Sequence, residues 1–328
     1  MMTLTERKTP NYGRRIIWLA VFVAILFGGY SAGWFYLADQ LVTRAKATIA
    51  DANRDGVTVE CDNPVAGGFP FRLGVFCDRI AYGNAAEALG LTAGNLRTAG
   101  QIYDPMRFIA ELDGPAMVAT PRNGSLKIDW EKLRASVRWA RPLPERVSVE
   151  GGGVAATTAT GAPLATIGAF EAHMRPNGQD LDLASSFEGL ALDPVLIDGR
   201  TLPAFSGESD LTIQGGVDLR GIRPEQLRGR SGTIRNASLS AGGNSGLTVS
   251  GPFSIGEDGL IDATLKLTVR DPQGLSAIFA EAFPEKRKEI KSAFSAIGFM
   301  GNEPTLPLVI ERGEAKLAFF KLGAIPPL

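Results

Sequence analysis

From Ile16 to Ala38 the chain runs for 23 residues without a charge, IIWLAVFVAILFGGYSAGWFYLA. A helix rising 1.5 Å per residue carries such a run across ~35 Å, enough for a hydrocarbon core of ~30 Å. Trp18 lies near one end and Trp34, Phe35 and Tyr36 near the other, where amphipathic rings favour the membrane interface. Arg7, Lys8, Arg14 and Arg15 precede the run and Asp39 closes it. The positive-inside rule then places residues 1–15 in the cytoplasm and everything after the span on the far side. A cleavable signal peptide has a shorter apolar core, about 7–15 residues, followed by a small-x-small site. Here bulky aromatics fill the exit, so a retained single-pass anchor over 16–38 is expected. Gly29 and Gly33 have GxxxG spacing, which can form a helix-dimerisation face but is more often incidental.

The two cysteines, Cys61 and Cys77, both follow the anchor. An even count in an oxidising compartment reads as a disulfide, and closing a loop of this length contributes about 3 kcal/mol in the chain-entropy model. The pair lacks the CxxC spacing of a redox couple. Between them, NPVAGGFPFRLGVF reads as a Gly-Pro turn entering an apolar strand, so the bridge should staple two neighbouring strands. The Phe69-Pro70-Phe71 turn is expected to bury its rings beside the disulfide; its functional alternative is an apolar contact point.

Beyond Val57 the hydrophobic period is two. Leu211, Ile213, Gly215, Val217 and Leu219 alternate with polar or small residues, as do Leu247 to Ile255 and Ile261 to Val269. Turn pairs punctuate these runs: Asn177-Gly178, Asp198-Gly199, Asp258-Gly259 and Arg312-Gly313. Glycine makes up 39 of 328 residues, about 12% against an ordinary ~7%, which suits many short turns. The expected fold is therefore mainly β: a transmembrane helix, then an antiparallel, meandering and curved sheet with one polar face.

Helices are few. Residues 39–56 continue the anchor as a helical stalk, with Leu41, Ala45, Thr48 and Ile49 on one stripe. Asp129–Arg138 is expected to form a short helical turn around Trp130 and Leu133. In 272–299 the residues Leu275, Ile278, Phe279, Ala282 and Phe283 follow helical spacing until Pro284, after which Ile290, Phe294 and Ile297 resume it. The expectation is a helical pair covering the sheet near the C-terminus, its cationic side (Lys286, Arg287, Lys288, Lys291) free for solvent or anionic headgroups. Residues 57–328 then form one β-rich domain, with 141–144 the best internal break into two lobes.

A net charge of −1 argues against a nucleic-acid partner. One histidine and two cysteines leave little for a zinc site or a histidine triad, and no GxxxxGK[ST], GxGxxG or HExxH motif occurs. His173 falls on the polar side of FEAHMRP and reads as a solvent-facing strand residue. Asp51, Asn53, Asp55 and Asp62 have the spacing of a calcium loop, but an Asp in the last position reaches poorly and a strand follows. The same residues serve to end a helix and turn the chain. No catalytic residue and no cofactor is expected.

The segment Gly67-Gly68-Phe69-Pro70-Phe71-Arg72 between Cys61 and Cys77, with Tyr103-Asp104-Pro105 further on, resembles a family of bacterial single-pass envelope proteins, domain of unknown function 2125. The resemblance implies an inner-membrane protein with its bulk in the periplasm, and transfers no activity. In outline the chain is also similar to the AsmA-like envelope proteins, an anchor followed by a long curved sheet with an apolar interior. A non-enzymatic envelope-maintenance protein or scaffold is the leading expectation, its partners the membrane and another envelope protein. The alternative is a lipid or acyl-chain binder using the trough of the sheet; a hydrolase is remote.

Overall fold

The computed structural model describes residues 12–53, 56–120, 124–219, 224–318 and 320–328. The charge-free run lies within one continuous helix, α1 (Tyr12–Ala52), whose apolar window is not buried by the rest of the protein. Nothing lies within 4 Å of where a side chain at Gly29 or Gly33 would project.

Among the described residues, twenty strands follow in a single antiparallel sheet. The first ten are short: β1 (Val57–Cys61), β2 (Val65–Gly67), β3 (Arg72–Cys77), β4 (Ile80–Asn84), β5 (Leu89–Ala93), β6 (Leu96–Gln101), β7 (Asp104–Leu112), β8 (Ala116–Thr120), β9 (Gly124–Asp129) and β10 (Lys132–Arg138). Then come β11 (Arg146–Thr158), β12 (Pro163–Asn177), β13 (Asp180–Leu192), β14 (Phe205–Ile213), β15 (Ser231–Ala241), β16 (Gly246–Ile255) and β17 (Ile261–Arg270). Two helices, α2 (Pro272–Ala282) and α3 (Arg287–Gly298), precede β18 (Thr305–Glu311), β19 (Glu314–Leu317) and β20 (Phe320–Ala324).

From β10 to β20 each strand pairs with the next, a plain meander. The short strands are arranged differently. β2, β3, β6, β7 and β10 pair in that order to form a lower tier, which joins β11 along Arg146–Gly152. β1, β4, β5, β8 and β9 form an upper tier, which joins β11 along Ala155–Thr158. One long strand thus carries two tiers of short ones end to end. Cys61 and Cys77 are bonded at 2.02 Å, and the bridge ties β1 of the upper tier to β3 of the lower. The staple therefore joins tiers, not hydrogen-bonded neighbours within the sheet.

Two further expectations need correction. Residues 132–138 form β10, because Leu133, Ala135 and Val137 alternate with Lys132, Arg134, Ser136 and Arg138; the Trp130–Leu133 spacing mimicked a helix. The alternation through 219 breaks at Ile213: Gly215 takes a left-handed conformation (φ 60°) and opens a short 3-10 turn at Gly216–Asp218. The Arg141–Pro144 stretch lies in the connection between the paired strands β10 and β11. Arg312 and Gly313 are the two central residues of the β18–β19 hairpin, both at positive φ (48° and 79°), as a type I′ turn requires.

The helices near the C-terminus form where the 3.6-residue stripe placed them. Asp271 caps α2 by accepting from the Gly274 backbone N–H at 3.1 Å and from the Ser245 hydroxyl at 2.7 Å, and Pro272 occupies the first turn. Leu275 of α2, Val269 of β17 and Ala241 of β15 make a core, joined by Phe205, Leu247, Leu267, Phe279, Phe294 and Ile297. That core is small for a chain of this size. The protein exposes 21357 Å², whereas a compact monomer of 34.8 kDa would expose about 13,000 Å². The bare α1 contributes to the surplus, as does the small core.

Candidate functional site

Register decides which side chains share a face, because partners across an antiparallel pair point the same way. Val137 pairs with Val147, Val147 with Met174, Met174 with Leu183, and Leu183 with Leu211. Further along, Leu211 pairs with Ile234, Leu239 with Leu247, Leu247 with Val269, and Leu267 with Leu306. The upper tier contributes Val59, Tyr82, Leu91, Val118 and Leu126 in one row of pairs. One face of the sheet is thus apolar from tier to tier and across the whole meander. Among the described residues, α2 and α3 roof one corner of this face by packing on it.

Three phenylalanines shape this apolar floor. Phe170 pairs with Gly151, Phe187 with Gly207 and Phe253 with Gly232. A Cβ built on those glycines would meet the partner ring at 2.2, 2.7 and 2.6 Å, so each ring lies down over its neighbour's bare backbone. The floor is lowered where it would otherwise carry its bulkiest projections. That close approach accounts for part of the glycine excess.

At one end of the lower tier the Gly67–Arg72 turn docks on α1. The Trp34 indole N–H donates to the Arg72 carbonyl at 2.9 Å, and the Tyr30 hydroxyl donates to the Pro70 carbonyl. The Phe69 ring stacks on Phe35 at 5.8 Å and meets Trp34 edge-on at 5.3 Å. The expectation that Phe69 and Phe71 are buried beside the disulfide is overturned. Cys77 stands at the far end of β3, and both rings are exposed. The turn belongs to the junction between α1 and the sheet.

The opposite face of the sheet is charged and internally satisfied. Arg97 grips Asp113 at 2.6 and 2.7 Å, Arg134 bonds Glu111 at 2.5 and 3.0 Å, and Lys132 meets Glu150 at 2.8 Å. Its densest cluster surrounds Asp182, whose oxygens accept from Thr212 (2.7 Å), Arg235 (3.0 Å), Arg175 (3.2 Å) and Asn177 (3.4 Å). Burial pushes this carboxyl up, but the hydrogen bonds from Thr212, Arg235 and Arg175 outweigh it and hold the group below its ordinary value. With both oxygens doubly engaged, Asp182 has no lone pair directed at a substrate.

His173 lies on this face, as its strand position implied, with Nδ1 2.9 Å from the Ser148 hydroxyl and Nε2 3.3 Å from Glu171. The trio has the composition of a serine nucleophile, a base and an acid. Yet His173 and Glu171 are about half exposed, and Ser148 lies directly opposite His173 in mid-strand. It reads as a cross-strand polar ladder.

Of the calcium-loop candidates, Asn53 pairs through its side chain with the Val59 backbone, and Asp62 accepts from Arg79 at 2.8 Å. Asp51 ends α1, and Asp55 lies outside the described residues. No group of three or more His, Cys, Asp or Glu among the described residues is arranged to hold a metal ion.

Residues 34–326 match the model of a family described as an uncharacterized protein conserved in bacteria, DUF2125. The chain belongs to this family. The matched stretch begins at Trp34, so the DUF2125 unit takes in the C-terminal part of α1, the GGFPFR turn that rests on it and both cysteines. No curated protein and no solved structure matches the chain.

Proposed function

We propose that this DUF2125 protein is a non-enzymatic, membrane-tethered trough that binds the acyl chains of lipids in the bacterial periplasm and serves envelope maintenance. One observation carries the reading: the apolar face runs across the sheet, and away from the corner that α2 and α3 roof it includes exposed side chains such as Leu239. An exposed apolar surface of this extent is costly in water and marks an interaction site. A flexible hydrocarbon chain is the ligand it fits, since the floor is almost wholly apolar and its Ser185 and Ser209 hydroxyls bond each other at 2.8 Å. Arg14 and Arg15 before the span favour a cytoplasmic N-terminus, and the Cys61–Cys77 bridge suits the oxidising side beyond it.

The scaffold reading has its own support. β20 pairs only with β19 among the described residues and is exposed along its length, including Phe320 and Leu322. Such an edge can accept a partner's strand.

Photo-crosslinking separates the two. The full chain is reconstituted into vesicles containing a phospholipid with a diazirine in its acyl chain, irradiated, and the labelled peptides are mapped. Labelling on β13–β16, at Leu183, Leu211 or Leu239, is the expected result, and Gly151→Ala should weaken it by lifting Phe170 off the floor. Labelling confined to α1 and the 67–72 turn would overturn the trough and leave the edge strand as the better candidate.

A further inference from the structure

α1 serves as a depth gauge for the part of the sheet packed against it. Trp34, Phe35 and Tyr36 form the aromatic group at the exit of the span, the level at which such rings meet the headgroups. Phe27 lies seven residues earlier, about 10 Å deeper at 1.5 Å per residue. Phe69 touches both levels: its ring centroid is 5.3 Å from Trp34 and 6.4 Å from Phe27. The 68–71 turn therefore hangs below the aromatic belt, alongside helix residues that occupy the apolar layer.

A second turn is fixed beside it. The Ile102 amide donates to the Phe71 carbonyl at 3.2 Å, so the β6–β7 hairpin ends at the same level. Phe71 and Tyr103 are 67% and 76% exposed, with Met106 and Trp139 also bare on the same end of the lower tier. Five exposed arginines flank these side chains, Arg72, Arg107, Arg138, Arg141 and Arg146, against only Asp104 and Glu145, and Glu145 is engaged by Arg138 at 3.1 Å. Rings set among arginines suit the boundary of an anionic bilayer, with apolar groups in the chains and guanidinium groups on the phosphates. The floor itself starts at Leu73, the second residue of β3 and two residues after Phe71.

We propose that the 68–71 turn and the Tyr103 hairpin are embedded in the leaflet from which α1 emerges, with the arginine rim on its phosphates, so that the trough opens into the acyl chains of that leaflet. This rests on α1 spanning a bilayer and stands whether or not the trough holds lipid.

The test uses nitroxides on the full chain at Phe71→Cys, Tyr103→Cys, Ile25→Cys (within the span) and Asp198→Cys (far from it), each with the native disulfide intact. The proteins are reconstituted into phosphatidylethanolamine and phosphatidylglycerol vesicles. Power-saturation spectroscopy compares accessibility to oxygen, which partitions into lipid, with accessibility to a water-soluble nickel chelate. The expected oxygen-to-chelate ratio at 71 and 103 is several-fold above that at 198 and close to that at 25. A lipid-like value at 25 with water-like values at 71 and 103 overturns the proposal alone. A water-like value at 25 overturns the anchor and the proposal with it. Hydrogen exchange on the unsubstituted chain gives a second reading free of mutation: the amides of 68–71 and 102–104 should be protected in vesicles, and exchange at open-turn rates would count against embedding.

Discussion

Val269 and Leu239 occupy the same face of the sheet, linked in register through Leu247, yet Val269 is 2% exposed and Leu239 41%. The difference is α2, which lays Leu275 over one and stops short of the other. Both positions obey the same alternation, so period decides which face is apolar and says nothing about what covers it. In a filled sandwich those two residues would be equivalent. Here one belongs to a core and the other to an open floor.

The largest expected effect separates the two directly. Leu275→Ala should cost about 2–5 kcal/mol in urea denaturation, as for other fully buried leucines, while Leu239→Ala should stay within about 0.5 kcal/mol. Equal losses would mean that something covers Leu239 in solution.

Next in size is the staple. Replacing both Cys61 and Cys77 by Ser should remove about 3 kcal/mol, read as a lower melting temperature in oxidising buffer. The loss should also be local. Amide exchange ought to quicken in the two tiers, which no helix pair roofs, and stay slow in β15–β17 beneath α2. A uniform rise would show that the roofed and open regions unfold as one unit.

The smallest effect tests the charged face. Asp113, held down by its hydrogen bond from Arg97, Glu150 by Lys132, and Asp210 by Arg235 titrate below their ordinary values, as Asp182 does once its hydrogen bonds overcome burial. A carboxyl lowered by folding contributes stability in full above its unfolded value of about 4 and loses it as pH falls through the lower folded value. Melting temperature should therefore be flat down to about pH 4 and fall below it, with Asp182→Asn blunting the fall. The effect is modest because most of these pairs are half exposed. A fall beginning well above that point would break the division between a charged face and an inert apolar one.

Much of this architecture could be read from spacing alone: the long apolar helix, the antiparallel period in β16 and β17, and the Pro284 break between α2 and α3. What could not be read depends on contacts distant in sequence. Phe69 and Phe71 lie close to Cys77 along the chain, which suggested burial beside the bridge, but β3 carries the cysteine away and Tyr30 and Trp34 come in from some forty residues earlier. The two tiers were hidden for the same reason, since nothing local tells β6 to pair with β3 while β5 pairs with β8. Local glycine chemistry misled at Gly215, where an alternating position became a turn. The openness of the floor was invisible because Leu239 and Val269 carry the same signal.

The phenylalanines that lie over Gly151, Gly207 and Gly232 have a mechanical consequence. Sunk into their neighbours, these rings leave no peg behind which a long greasy molecule could lodge, so a guest would meet a nearly even contact energy from one strand to the next. Such a surface resists capture at any single spot and favours drift along its length, as a polished track does for a sliding load.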